Sequence, residues 1–216
     1  MKDGDATLPF EEAAATASTG DIWLFRGRSV ADKAIRAVTN SPVNHVGMVI
    51  ALDDLPPLLW HAELGKALPD VWAGRTHRGT QLHRLSDAVG QWHHRYGQDA
   101  WVRNIDIEAT TEMEDTILFA IDELDGRTFP STASLAKGWT NGRLRRKQDL
   151  EQLFCAEVVA ITYARMGLLS TDRPPNWYDP GKFWSGDHLQ LIGASLGPEV
   201  AVGDIPPYTP ASHTAD

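Results

Sequence analysis

The chain has 216 residues, 42% of them hydrophobic, with a formal net charge of −9 at pH 7. That is enough apolar material for one buried core, and it predicts a single domain over 1–203 followed by a flexible proline-rich tail over 204–216. The acidic balance argues against nucleic acid as a partner, because neutralising phosphates needs a basic face.

A single cysteine, Cys155, excludes an internal disulfide. Together with the acidic Met1–Ala6 start, which lacks an apolar signal core, it predicts a reducing, cytoplasmic setting. No apolar stretch approaches the ~18 residues of a membrane span, so contact with a membrane is expected to be peripheral only. The histidines His77, His83, His93, His94, His188 and His213 match no standard ligand spacing, and neither a metal nor a cofactor is expected. No exposed apolar stripe separates from the core by pattern, so no oligomeric state is assigned.

In chain order, residues 1 to about 8 read as a loose tail and Pro9–Ala17 as a short helix. A β-rich part then runs from Gly20 to Leu85. Within it, Val43–Ala51 is a β-branched, apolar run bounded by Ser41-Pro42 and Asp53-Asp54, the mark of a strand. Period two puts His45, Gly47 and Val49 on one face, and Val46, Met48 and Ile50 on the other. The glycine beside His45 leaves room for a helix or a substrate to approach. After Pro56-Pro57, Leu58–Glu63 reads as the neighbouring strand, with His61 and Glu63 sharing a face.

Ser86–Tyr96 reads as a helix and Ala100–Ile107 as a strand. Thr111-x-x-Glu114 has the spacing of a capping box, opening a helix with Met113, Ile117, Ile121 and Leu124 on one face and ending near Gly126. From Phe154 to Met166 the positions Cys155, Val158, Val159, Thr162 and Met166 keep helical spacing, with Gly167 as terminator. Either Cys155 sits at the start of this helix, where free N–H groups favour a thiolate and an oxyanion, or Asp149–Gln152 is a cap, at Asp149, followed by a first turn and Cys155 lies more than a turn inside. Beyond Gly167, Asp172–Asn176 is a loop, Pro180–Trp184 one helical turn and His188–Ile192 a strand.

Free cysteines are mostly small buried hydrophobes, so Cys155 acquires chemical meaning only from its setting. A thiol with a distant imidazole, His45, ~110 residues upstream is the arrangement of a nucleophile and its base, with His61 or Glu63 on the adjacent strand to fix the imidazole tautomer. The basic run Arg143–Lys147 could draw an anionic substrate, although such runs are commonly solvated loops. Trp60, Trp139 and Trp184 could wall an apolar pocket or simply pack the core.

Five segments together, Gly20-Asp21-Ile22-Trp23-Leu24-Phe25-Arg26-Gly27, a helix over Ser29–Val38, Ser41–Met48, Trp60-His61-Ala62-Glu63 and Phe154–Val159, resemble the circularly permuted branch of the NlpC/P60 papain-like superfamily, most closely its YiiX/YaeF-like group. The histidine precedes the cysteine, as in that branch. The resemblance spans roughly Gly20 to Gly167 and implies an α+β papain-like fold, an antiparallel sheet packed against helices. It implies Cys155 as nucleophile, His45 as base and His61 as the third polar residue. Relatives often place glutamate before the alanine where His61 stands, and Glu63 falls two positions late.

The implied chemistry is hydrolysis or acyl transfer at an amide or ester of a small-molecule, peptide or lipid substrate. Two other function classes stand beside it: a catalytically inactive lipid- or peptide-binding module of the same fold, and a protein-interaction domain in which Cys155 and His45 are core residues.

Overall fold

The computed structural model describes residues 7–28, 41–63, 65, 67–127, 147–185 and 189–208, the side chains of 147–153 excepted. Its centre is a seven-stranded sheet: β1 Leu8–Pro9, β2 Ile22–Gly27, β3 His45–Ile50, β4 Leu58–Glu63, β5 Gly79–Arg84, β6 Gln98–Arg103 and β7 Val200–Gly203, in the order β1-β7-β6-β2-β3-β4-β5. All neighbours are antiparallel except β1 and β7, whose Leu8 and Val202 pair in parallel. The class is α+β, as the sequence predicts. The sheet is mixed rather than purely antiparallel, because the two-residue β1 pairs with a strand nearly 200 residues away that no local pattern announces.

Both faces are covered, so every residue of β3 and of β4 is buried. On one face lie α3 Thr111–Leu124 and α4 Lys147–Arg165, meeting Leu24, Val46, Met48, Ile50, Trp60 and Ala62. On the other lie α1 Phe10–Ala15 and α2 Leu85–Gly90, with a π-helical turn Gln91–Arg95, around Trp23, Phe25, Val49, Leu59 and Trp92. Burying such faces supplies most of the drive to fold, at about 25 cal/mol per Å² of apolar surface.

Trp60 fixes the seat of α4, its indole N–H donating to the Thr162 hydroxyl at 3.1 Å. At the far end Gly167 adopts φ +76°, and the Leu168 N–H returns to the Tyr163 carbonyl at 2.9 Å, the glycine-terminated stop expected at this position.

Several boundaries differ from the sequence expectation. Thr110, not Thr111, caps α3, its hydroxyl accepting from the Met113 N–H at 3.3 Å. The expected helix over Ser86–Tyr96 changes from α to π geometry at Gln91. Residues 189–192 form no strand; their segment is held by loop bonds instead, including Ile192 N–H to the Leu168 carbonyl at 2.8 Å. Arg103 fixes the flanking stretches by donating to the carbonyls of Phe183, Leu196 and Gly197.

Past Gly203 the chain is irregular to Tyr208, but Ile205 is buried in the second core cluster. Trp60 is a core residue, and Trp184 meets the Arg26 guanidinium beside Trp101, the two indoles edge-on at 5.7 Å. The expected helix over 29–38, Trp139, His188 and the Arg143–Lys147 side chains lie outside the described residues. Among the described residues, no helix is long and apolar enough to cross a membrane.

Candidate active site

Three imidazoles form a line across β3, β4 and β5. His45 Nε2 lies 3.0 Å from His61 Nδ1, and His61 Nε2 lies 2.9 Å from His83 Nδ1. The register explains the line. Met48 pairs with Trp60, so one step further Gly47 stands opposite His61, and His45 is the diagonal neighbour. Leu59 pairs with His83, which makes His83 diagonal to His61 in turn. Diagonal positions on one sheet face are ~7–8 Å apart, within reach of two rings. Gly47 is needed for this approach, since a Cβ there would fall 2.8 Å from Leu59 Cδ1 and 3.2 Å from His61 Cβ.

The rings are sealed from solvent. The Trp92 ring stacks on His45 with centroids 3.8 Å apart, Phe25 sits 5.8 Å away, and Trp92 also meets His61 edge-on at 5.9 Å. Burial holds His45 down at about 3 and His83 at about 4, the latter against the pull of Asp70. Burial, with the facing His83 and His45 rings, puts His61 well below its ordinary value. All three are therefore neutral at pH 7. A neutral chain has two proton arrangements. In one, each Nε2–H donates to the next Nδ1, which leaves a lone pair on His45 Nδ1; in the other the direction is reversed. Both outer atoms of the line, His45 Nδ1 and His83 Nε2, are buried without a hydrogen-bond partner.

Glu63 is 3% exposed, a buried acid rather than the solvated strand end its sequence position allows, and it accepts from the Tyr96 hydroxyl at 3.2 Å. Ligand-type atoms of His61, Glu63 and His83 gather within 4.8 Å. Of the two candidates for the third role, His61 is the one bonded to His45.

Cys155 is placed differently from the helix-start expectation. The helix runs from Lys147, so Cys155 lies about two turns inside and the free N–H groups of a first turn are not beside it. Its side chain is fully buried, in the cluster that includes Val46, Met48, Trp60 and Ala62. Trp60 points to α4, so the next residue, His61, points away from it, and His45 stacks on Trp92 on that far face. The expected hydrogen bond from Cys155 to His45 is not made: Nε2 is engaged by His61 and Nδ1 has no partner. The structure thus unites His45, His61 and Glu63 on one face and sets Cys155 on the other.

Two contributors escape a sequence reading, His83 and Trp92. For His83 the signal was present, since alternation in Gly79–Arg84 puts Gln81 and His83 on the face that faces the His61 side of β4. For Trp92 there was none, because its aim follows from the π turn, a geometry often found at functional sites. A depression of about 370 Å³ opens beside this turn, lined in part by Gln91, His94, Arg95 and Tyr208.

No protein-family model and no curated protein matches the chain. A solved structure does. It is the metalloprotein YiiX from Escherichia coli O157:H7, of DUF1105, at 19% identity and a TM-score of 0.43, with 87% of this chain and 97% of that one covered.

Proposed function

We propose that the chain is a cysteine-dependent hydrolase or acyltransferase acting on an amide or ester of a peptide or lipid. In this reading Cys155 is the nucleophile, His45 its base and His61 the residue that orients His45. The observation that carries it is the His45–His61 bond at 3.0 Å, with His45 Nδ1 buried and unpartnered. One ring nitrogen is held so that the other is kept for a proton, which is what a nucleophile's base requires. His45 Nδ1 takes the thiol proton as sulfur attacks the carbonyl, and the imidazolium returns it to the leaving group. His61 accepts from Nε2–H throughout, and His83 extends the line so that His61 keeps its tautomer. Because burial keeps His45 neutral, the thiol is deprotonated only as attack proceeds rather than resting as an ion pair. The sheet lies between the sulfur and Nδ1 in this structure, so this reading requires a rearrangement that brings the two to one side.

The buried sulfur on the opposite face favours a second reading, a binding module of the same fold without turnover. One experiment separates the two. The wild type, Cys155→Ser and His45→Ala are incubated with thioester, lipid-ester and peptide-amide electrophiles and analysed by intact mass. Catalysis gives an acyl adduct on Cys155, absent in Cys155→Ser and formed roughly 10²–10⁴ times more slowly in His45→Ala. No adduct from any class, with copurified lipid or peptide equal in all three proteins, supports the module.

A further inference from the structure

A second polar cluster lies between the loop that precedes β5 and the end of α3. Asp70 is fully buried there, one carboxylate oxygen accepting from the Ala73 N–H at 2.6 Å and the other from the Leu82 N–H at 2.5 Å. Asp125, the residue that ends α3, faces it, with a side chain 12% exposed. Between them stands His77, whose side chain is nine-tenths buried. Its Nε2 is 3.6 Å from Asp70 Oδ2 and 3.6 Å from Asp125 Oδ1.

Those separations are too long for hydrogen bonds, and both His77 Nε2 and Asp125 Oδ1 are buried without a hydrogen-bond partner. They are the separations of ligands around one ion. Bond lengths of 2.0–2.2 Å in a tetrahedral zinc site put neighbouring ligand atoms roughly 3.3–3.6 Å apart. His77 Nδ1 lies 3.3 Å from the Arg78 carbonyl, to which it donates, and Nε2 is the ring atom set toward the two carboxylates, the arrangement of a metal-bound histidine. The cluster confines two carboxylates and one imidazole in a space with little access to solvent. A dication would neutralise both acids at once.

We propose that Asp70, His77 and Asp125 bind a divalent transition-metal ion of the zinc type, with water in the fourth position. The ion would clip the loop that leads into β5 to the end of α3. Its ligands come from segments more than 40 residues apart, so no spacing rule reveals them. The proposal is independent of the hydrolase reading and stands if that reading fails.

The test uses the untagged full chain, stripped by chelator and equilibrated with Zn²⁺ in dialysis. Wild type should hold about one zinc per chain and gain thermal stability with it, and Co²⁺ should give the visible bands of a tetrahedral N/O site. His77→Ala and the near-isosteric Asp125→Asn should weaken binding at least tenfold and abolish the zinc-dependent rise in Tm, while Glu63→Gln leaves both unchanged. Should His77→Ala fail to fold, Asp125→Asn and the wild-type Co²⁺ spectrum decide. Binding below a tenth of an equivalent overturns the proposal, as a proton shared between the two acids would then suffice. Full binding in both cluster variants, or loss in Glu63→Gln alone, overturns it by moving the ion elsewhere.

Discussion

Replacing His45 by glutamine tests whether the imidazole line is held neutral inside the sheet. Burial lowers the His45 pKa from 6.5 to about 3, so between those values the unfolded chain binds a proton that the folded chain refuses. Stability is therefore complete above about 6.5 and is lost as the pH falls toward 3. At pH 5 the unfolded ring is almost fully charged and the folded one almost fully neutral. The loss relative to pH 7.5 is about 1.5 pH units at 1.36 kcal/mol each, or ~2 kcal/mol. Asp125 at about 6 works in the opposite direction over the same range, so wild type alone is not diagnostic. The informative quantity is the difference between wild type and His45→Gln, in which Asp125 cancels. Urea unfolding of both proteins at pH 7.5 and 5.0 gives it, and wild type should lose ~2 kcal/mol more than the variant. Equal losses would mean that His45 titrates normally in the folded protein, and the sealed relay behind Trp92 would be refuted.

The other tests address packing. Gly47→Ala should destabilise by ~1–3 kcal/mol in urea melts, because the new methyl meets Leu59 Cδ1 at 2.8 Å in a core with no slack. Trp60→Phe removes the donor to Thr162, whose hydroxyl still donates to the Val158 carbonyl at 2.9 Å, and should cost about 1–2 kcal/mol by thermal or urea unfolding. Thr110→Ala should cost ~1 kcal/mol, while Thr111→Ala leaves stability nearly unchanged, which urea melts of the two variants will show.

Elements bounded by hard punctuation were legible in the sequence. β4 begins after Pro56-Pro57 and ends at Glu63 as its pattern indicates, and α4 stops where Gly167 supplies a left-handed residue. The grouping of His45 with Gly47 and Val49 also follows from alternation alone, and the structure puts His61 beside them. The start of α4 was not legible in the same way, since Lys147 continues the helix back past the Asp149 cap that the sequence offers. Diagonal contacts between strands depend on register, which turns and packing decide jointly, so alternation groups His83 with Gln81 on one face but does not say that it meets His61.

What alternation cannot supply is which face of a doubly buried strand receives a given helix. In β3 both sets of side chains are buried, His45, Gly47 and Val49 on one side and Val46, Met48 and Ile50 on the other, so no polar face marks an outside. Gly47 invites the inference that α4 approaches there. The space is filled instead by Leu59 and by His61, and the close approach brings two imidazoles together rather than an imidazole and a thiol. The helix takes the Val46 and Met48 side, where Trp60 and Thr162 lock it. The same glycine thus builds the relay and leaves no room for the helix on its face. Any chemistry that joins Cys155 to His45 has to bring together groups on opposite faces of the sheet, and on the His45 side Asn44, the residue before β3, accepts from the Gly27 N–H at 2.8 Å and fixes that end of the strand.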